Sequence, residues 1–177
     1  GCRCCPGRPN RPAARPSRTR DRAGVRRSAG LLLWRRRPAG VEVLLGHPGG
    51  PLFARRDDAV WSIPKGEYLE DEQPLAAAYR EFTEETGLAP AAGDPVPLGE
   101  VRLRSGKLVA AWALEGELDV TAVVSNLFTM HWPPRSGQFQ RFPELDRAQW
   151  FDLPTARRKI SPGQLPLLDR LPTGLGC

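Results

Sequence analysis

The sequence predicts an α/β/α sandwich, in which helices cover both faces of a mixed β-sheet, over residues 28–172. Three observations predict it: short apolar runs bounded by turn residues, one long amphipathic helical pattern among them, and short helical segments near the C-terminus. A chain of 177 residues has room for one ordinary domain and a tail. It contains no internal repeat that would indicate a solenoid or a propeller.

The first predicted elements are two strands of a hairpin. The segments SAGLLLW, residues 28–34, and VEVLLGHP, residues 41–48, are rich in apolar residues. The intervening RRRPAG contains the proline and glycine that are typical of turns. Residues 49–66 are then predicted to be a loop, with a short extended piece at residues 61–63.

The segment DEQPLAAAYREFTEETG, residues 71–87, predicts an amphipathic helix. Pro74 suits the first helical turn, because proline lacks the N–H that is unpaired there in any case. Gly87 suits the position just past the helix end. The apolar positions recur at steps of three and four residues, namely Leu75, Ala78, Tyr79, Phe82 and Thr86.

The second half of the chain predicts three strands and two short helices. PVPLGEVRLR and KLVAAWALEG, residues 95–104 and 107–116, form a second hairpin across SGK. HWPPRSG is predicted to be a loop because of its prolines and glycine. AQWFDL, residues 148–153, predicts a further strand, and residues 154–160 and 163–171 predict the helices.

The net charge of +6 is concentrated at the N-terminus. Residues 1–27 contain nine arginines and one aspartate, a balance of +8, so residues 28–177 together carry −2. This segment is rich in proline and glycine and poor in apolar residues, which predicts disorder. We expect a solvated extension; binding to nucleic acid or to another anionic surface is the alternative. Residues 173–177 are expected to be a flexible C-terminus.

The sequence contains no signal for membrane insertion or secretion. No apolar run approaches the length of a transmembrane helix or of the apolar core of a signal peptide. The cysteines, at Cys2, Cys4, Cys5 and Cys177, lie outside the predicted core and are expected to be reduced. We therefore expect a soluble cytoplasmic protein without a membrane partner, either a monomer or a homodimer.

Three carboxylates are crowded on one side of the predicted helix. Glu81 lies one turn before both Glu84 and Glu85. At about 5 Å and an effective dielectric constant near 20, each like-charged pair costs roughly 3 kcal/mol. A bound Mg²⁺ or Mn²⁺ ion, which prefers oxygen ligands, would remove this repulsion. The alternative is a solvated acidic helix face.

The spacing of the surrounding residues decides between these alternatives. Gly66, Glu72 and the segment REFTEETGL at residues 80–88 reproduce the pattern G-x5-E-x7-R-E-U-x-E-E-x-G-U, in which U is a bulky apolar residue. The odds of a chance match in a chain of this length are on the order of one in ten million. The chain therefore resembles the Nudix hydrolase family over about residues 28–172.

The resemblance implies a hydrolase that uses Mg²⁺ or Mn²⁺ to cleave a pyrophosphate bond in a nucleoside diphosphate linked to another group. It implies that Glu81, Glu84 and Glu85 are metal ligands that orient or deprotonate the attacking water. It also implies that Gly66 supplies a carbonyl ligand to the metal. The metal would screen the phosphate charge and lower the pKa of its water.

Further residues are candidates for positioning or substrate binding. By the same resemblance, Arg80 positions the carboxylates and Glu72 is a supporting carboxylate. Lys65, next to Gly66, is placed to meet a phosphate. Trp132 and Arg135 lie in the proline- and glycine-rich loop, and we expect them to contact the nucleotide.

The substrate prediction depends on segments outside the helix. The segment from WSIPKG to REFTEETG, together with WPPRSG and FPELDRAQWF, resembles a bacterial group related to the diadenosine polyphosphate hydrolases. In such proteins a further acidic residue is expected in the distal loop or strand. This chain has His131 and Arg141 where carboxylates are expected, and Glu144 is the nearest substitute.

The expected substrate is therefore a dinucleoside polyphosphate such as diadenosine tetraphosphate, or a nucleoside triphosphate. Two alternatives stay open: a Nudix-type nucleotide sensor with weak catalysis, and an RNA 5′-cap pyrophosphohydrolase anchored by the basic tail. Trp34, Trp112 and Trp150 are expected to be core aromatics. His47, beside PGG, is a weaker candidate for contacting phosphate.

Overall fold

A six-stranded mixed sheet forms the centre of the molecule in the computed structural model, which describes residues 26–172. The strand order is β4-β5-β1-β2-β8, and β3 pairs with β1 alongside β2. The six strands are β1 (Arg27–Arg37), β2 (Gly40–Pro48), β3 (Lys65–Glu67), β4 (Val96–Arg102), β5 (Leu108–Glu115) and β8 (Leu145–Asp152). Only β1 and β5 pair in parallel, and the other pairs are antiparallel.

The helices and a separate hairpin complete the described fold. The helices are α1 (Pro74–Thr86), α2 (Leu153–Lys159) and α3 (Leu165–Asp169), and short 3₁₀ turns lie at Val120–Ala122 and Pro162–Gln164. A two-stranded sheet consists of β6 (Leu127–His131) and β7 (Phe139–Pro143). None of the helices within residues 26–172 is long and apolar enough to span a membrane.

The central strands bury both of their faces. Leu31 and Leu33 of β1 pack with Phe82 of α1, whereas Leu32 and Trp34 pack with the core residues of α2 and α3. This division follows from the alternation of side chains along a strand. Continuous apolar runs such as LLLW are typical of strands covered on both sides. The predicted α/β fold class, with helices on both faces of a mixed sheet, is confirmed.

Helix α1 begins and ends where the sequence predicts. Pro74 is its first residue, and Gly87 follows its end in the left-handed conformation with φ of 72°. The N–H of Gly87 donates to the carbonyl oxygen of Thr83, 2.8 Å away, which closes the last turn. An L-residue with a side chain would be strained at this φ, so glycine is the residue that ends the helix at low cost.

Several strands were not predicted from the sequence. Strand β3 has the residues Lys-Gly-Glu, which show no apolar pattern, and it exists because it pairs with Ser28–Gly30 of β1. Strands β6 and β7 flank the predicted loop, but they are short and carry apolar residues at exposed positions, namely Leu127 and Phe139, so apolar and polar residues do not alternate clearly. In the short extended piece predicted at residues 61–63, Ser62 forms an isolated bridge to Gly46 of β2 and Trp61 forms one to Ile160.

The aromatic predictions are only partly confirmed. Trp34 is buried in the core, but Trp112 and Trp150 are half-buried at its edge. The indole N–H of Trp150 donates to the carbonyl oxygen of Leu118, 3.1 Å away. At the edge of the core the ring can therefore pack its apolar face and still pair its N–H. Trp61, which the sequence analysis did not single out, is 1% exposed and belongs to the core.

The predicted tail and C-terminus fall largely outside the described residues. Of residues 1–27, the structure describes Arg26 and Arg27, and β1 begins at Arg27. Residues 173–177 and all four cysteines also lie outside the described part of the chain.

The structure contradicts the hypothesis that His47 contacts phosphate. The ring is fully buried and stacks edge-on against Trp61, with 5.1 Å between ring centroids. Its Nδ1 lies 2.7 Å from a carboxylate oxygen of Asp146, and its Nε2 lies 2.7 Å from the carbonyl oxygen of Arg56. His47 therefore ties β8 and the loop after β2 to the core.

We predict that His47→Phe lowers the free energy of unfolding by about 2–4 kcal/mol, because it leaves two polar partners without their hydrogen bonds. Denaturant unfolding measures this value. The matched control is His131→Phe, since His131 is exposed on β6 and its replacement should cost less than about 0.5 kcal/mol. Equal costs for the two variants would contradict the structural role of His47.

Candidate active site

A cavity of about 550 Å³ lies beside α1 and collects most of the candidate residues. We call it the acidic cavity, because five glutamates and two lysines line it: Glu67, Glu81, Glu84, Glu85, Glu144, Lys65 and Lys107. Strand β3 forms one wall, α1 another, and the ends of β6 and β7 a third. Residues that are far apart in sequence therefore meet at one site.

Arg80 contacts two carboxylates of the acidic cavity, Glu81 and Glu84, and also Glu72, which lies outside it. Its Nε and one terminal nitrogen donate to the two oxygens of Glu72, at 2.9 and 3.0 Å. Its other terminal nitrogen contacts both Glu81 and Glu84. The Arg80 guanidinium holds the pKa of the Glu72 carboxyl below its usual range. The roles expected for Arg80 and Glu72, positioning and support, fit this bidentate geometry.

Glu85 is the most buried carboxylate of the set. Its side chain accepts a hydrogen bond from the backbone N–H of Lys65, 2.9 Å away. Burial raises its pKa to about 7, although the charge and the N–H of Lys65 oppose this shift. Burial also raises the pKa of Glu81, against the opposing hydrogen bond from Arg80. Both groups lie on the side of α1 that faces the sheet.

Gly66 allows β3 to lie directly against Glu81. A Cβ at this position would lie 1.8 Å from one carboxylate oxygen of Glu81. Strand β3 cannot move away, because Gly66 is paired in register with Ala29 of β1. A glycine is therefore required for this close approach.

Glu144 approaches the helix from the other side of the acidic cavity. It lies between β7 and β8, and its N–H donates to the carbonyl oxygen of Asn126 at 3.0 Å. The N–H of Asn126 in turn donates to the carbonyl oxygen of Glu84 at 3.3 Å. The charge of Glu144 contributes to the raised pKa values of Glu81 and Glu85. The suggested distal carboxylate thus faces the helix carboxylates.

The structure does not bring all candidate residues together. Trp132 and Arg135 lie at the tip of the β6–β7 hairpin and do not line the acidic cavity. Arg141 is exposed on β7, and His131 stacks on Phe139 with 3.9 Å between ring centroids. The proposed contacts of Trp132 and Arg135 with the substrate therefore stay predictions.

Among the residues that line the acidic cavity and that sequence reasoning missed are Lys107, Asn126, Phe53 and Phe128. Lys107, on the β4–β5 turn, forms an ion pair with Glu67 at 2.6 Å, and Asn126 connects α1 to Glu144. Phe53 and Phe128 supply aromatic surface. No local pattern marks any of the four, because each reaches the cavity through the tertiary fold.

The donor set of the acidic cavity fits a divalent cation. Carboxylate oxygens are the ligands that Mg²⁺ and Mn²⁺ prefer, and Glu81, Glu84 and Glu85 present them from one helix. No group of three or more acidic, histidine or cysteine side chains within residues 26–172 converges as a formed metal site. Among these carboxylates, Glu81 and Glu84 contact the guanidinium of Arg80.

Comparisons with known proteins identify the family. The chain belongs to the Nudix family, because a family model described as the NUDIX domain matches residues 24–171. This match confirms the resemblance inferred from the segment between Gly66 and Leu88. Membership of the family supports the prediction of a nucleotide pyrophosphohydrolase.

Similar solved structures share the fold. An Ap4A hydrolase of C. elegans in a binary complex is 22% identical with a TM-score of 0.56, over 81% of this chain and 93% of that chain. The NUDIX domain of Shewanella oneidensis NrtR, complexed with ADP ribose, is 15% identical with a TM-score of 0.55, over 82% and 85% of the two chains. Among curated proteins, an octanoyltransferase of Myxococcus xanthus is 34% identical over 100 residues, 56% of this chain. The match spans only 25% of that protein.

We predict that Glu85 makes the metal-free protein less stable as the pH rises from about 4.5 to about 7. Within this window the folded state keeps the proton on Glu85 and the unfolded state loses it, so the free energy of unfolding falls. The full effect is about 3 kcal/mol. Denaturant unfolding at several pH values without metal measures it.

Glu85→Gln should remove this part of the pH dependence. Glu84→Gln is the control, because the Glu84 side chain is 47% exposed and its neutralisation should leave the slope in place. A Glu85→Gln variant with the same pH slope as the wild type would contradict the role of burial at Glu85.

Proposed function

We propose that the chain is a divalent-cation-dependent pyrophosphohydrolase that cleaves a phosphoanhydride bond of a dinucleoside polyphosphate such as diadenosine tetraphosphate. The observation that supports it most directly is the joint placement of helix glutamates, Glu144 and two lysines around one cavity. The family match supports the reaction class.

The charge of the acidic cavity supports the dependence on a cation. Its five carboxylates outnumber its two lysines, so a polyphosphate would be repelled from the protein alone. A bound cation would reverse the local charge, polarise the phosphorus and lower the pKa of a bound water. Because this water can act as the nucleophile, the reaction needs no nucleophilic side chain.

The residues divide into ligands and supports in this proposal. Glu81, Glu84 and Glu85 would hold the cation, with the carbonyl of Gly66 as the ligand that the family resemblance implies. Arg80, braced by Glu72, would keep the carboxylates oriented as the cation enters. Lys65 and Lys107 would bind the phosphates. Glu144 would orient the attacking water from the opposite wall.

The substrate class rests on the aromatic surface and on the sequence resemblance. Phe53 and Phe128 line the same cavity as the carboxylates, where a base could stack beside the phosphates. The Ap4A hydrolase of C. elegans shares the fold, and it makes diadenosine tetraphosphate the first substrate to test. Nucleoside triphosphates belong to the same test panel.

We further propose that residues 28–172 are the catalytic domain, with residues 1–27 and 173–177 as extensions to it. We place the activity in the cytoplasm, in a monomer or a homodimer. The basic composition of residues 1–27 keeps a second substrate class in the panel, a 5′-capped RNA.

We predict hydrolysis of diadenosine tetraphosphate with Mg²⁺ or Mn²⁺ and none with a chelator. Glu85→Gln should lower the turnover number by about 10²–10⁴-fold, because it removes a ligand and a possible base. Glu70→Gln is the matched control, since Glu70 is exposed and lies outside the acidic cavity. Product release and the metal-induced rise in melting temperature are both measured.

The two readouts separate the alternatives. A metal-induced rise in melting temperature without cleavage of any nucleotide would favour the sensor. The NrtR domain, whose solved complex contains ADP ribose, makes that ligand the one to test for binding. Identical melting curves with metal and with chelator would contradict the cation site itself.

We predict that Glu144→Gln lowers turnover by about 10²-fold, the scale of a general base, while metal affinity changes little. Arg141→Glu should leave turnover within about twofold, because Arg141 is exposed and does not line the acidic cavity. Turnover and metal affinity, measured on both variants, test the assignment. A rise in turnover with Arg141→Glu and no loss with Glu144→Gln would instead place the distal function at position 141.

A further inference from the structure

A second cavity, of about 440 Å³, has the opposite charge to the acidic cavity. We call it the basic cavity. It lies among three loops: the loop after β2, the β4–β5 turn and the segment between α2 and α3. Arg56, Arg104, Ser105 and Ser161 supply its polar side chains, and none of the described residues that line it is acidic.

The two arginines of the basic cavity have no carboxylate partner among residues 26–172. Other arginines of the described chain do have one, as shown by the pairs of Arg35 with Glu42 and of Arg157 with Asp169. Two positive charges on one cavity without a carboxylate partner favour the approach of an anion. Each guanidinium offers several N–H donors in a plane, which matches the oxygens of a phosphate.

The loops that present these arginines are fixed by hydrogen bonds. The carbonyl oxygen of Arg56 lies 2.7 Å from Nε2 of the buried His47. The backbone N–H of Arg56 donates to the carbonyl oxygen of Phe53 at 2.8 Å. In the β4–β5 turn, Leu103 and Lys107 are joined by a backbone hydrogen bond of 2.9 Å. These hydrogen bonds fix the backbone around the basic cavity, which lowers the entropy cost of binding a ligand there.

Apolar surface accompanies the arginines. Leu103 and Pro162 line the basic cavity, and so does Ala59, which has a φ of 61°. This φ is unusual for a residue with a side chain, and such strain is concentrated at functional positions. The combination of arginine and serine residues with apolar walls is typical of a small-molecule site.

We propose that the basic cavity binds a phosphate group, either as free phosphate or as part of a small phosphomonoester, independently of metal. Arg56 and Arg104 bind its oxygens, and Ser105 and Ser161 complete the contacts. The cavity is distinct from the acidic cavity, with which it shares no lining residue.

The basic and acidic cavities nevertheless use the same loops. Phe53 lines the acidic cavity, and the guanidinium of Arg56 lies 5.8 Å from the centroid of its ring. Lys107 of the acidic cavity and Arg104 of the basic cavity belong to one turn. A phosphate in the basic cavity therefore contacts two loops that also form walls of the acidic cavity.

The test is a ¹H–¹⁵N NMR titration of the full chain, freed of metal and of chelator, with inorganic phosphate and with a nucleoside monophosphate. Without metal, the acidic cavity repels anions, so its proposed activity does not enter the readout. We expect saturable shifts at the amides of Ser105 and Gly163. Arg104→Met and Arg56→Met should each weaken binding about tenfold, the loss expected for a charge-assisted hydrogen bond.

Arg102→Met is the matched control. It removes the same charge from the same hairpin, but Arg102 does not line the basic cavity and its guanidinium faces the carbonyl oxygen of Gly106. Its affinity for phosphate should stay within about twofold of the wild type. A loss equal to that of Arg104→Met would show diffuse attraction by surface charge and would overturn the proposal, as would the absence of saturable shifts.

The two ligands distinguish the source of the phosphate. Tighter binding of the nucleoside monophosphate would assign the apolar walls to the organic group of a phosphomonoester. Equal or tighter binding of inorganic phosphate would assign the basic cavity to the free anion. Both results support the site, provided that Arg104→Met and Arg56→Met weaken the binding of the ligand concerned.

Discussion

The burial of two carboxylates against the sheet is the constraint on which the acidic cavity depends. Helix α1 must place Phe82 in the core, and Glu81 and Glu85 lie on the same side of the helix. A buried carboxylate is unfavourable unless it is neutralised or hydrogen-bonded. Arg80 meets this need for Glu81, and the N–H of Lys65 meets it for Glu85. The packing that stabilises the helix therefore also fixes the positions of the charges.

Strand β3 connects this helix to the centre of the sheet. It pairs with β1, which also pairs with β5 and β2, so its position is fixed by the most buried strand of the domain. Gly66 can then lie against Glu81, and the N–H of Lys65 can reach Glu85. Sites held by rigid elements keep their geometry better than sites on loops.

The sequence predicted the parts of the fold that local patterns encode. Helix α1, with Pro74 at its start and Gly87 after its end, follows from periodicity and end signals. Strand β3 could not be predicted, because Lys-Gly-Glu carries no pattern and pairs only when β1 is in place. The β6–β7 hairpin was missed because its strands are short and carry apolar residues such as Leu127 and Phe139 at exposed positions, which obscures the alternation in the sequence.

The residues of the candidate site likewise fall into those that a local pattern predicts and those that only the tertiary fold brings together. The helix glutamates, Arg80 and Gly66 were found because their spacing is fixed by one helix and the strand before it. Phe53, Phe128 and Lys107 were missed because they lie on two separate loops and on β6, which only the tertiary fold brings together. His47 was only a weaker candidate, beside PGG, and the fold directs its ring to Asp146 and to the Arg56 carbonyl instead.

The opposite charges of the two cavities follow from where their residues can find partners. On α1, one arginine is shared among three carboxylates, so a negative excess remains that a cation can neutralise. In the loops around the basic cavity, acidic neighbours such as Asp57 and Asp58 are already paired with Lys159. Arg56, close to them in sequence, is left without a carboxylate from the described residues. The same loop thus stabilises α2 with its aspartates and leaves its arginine available to an anion.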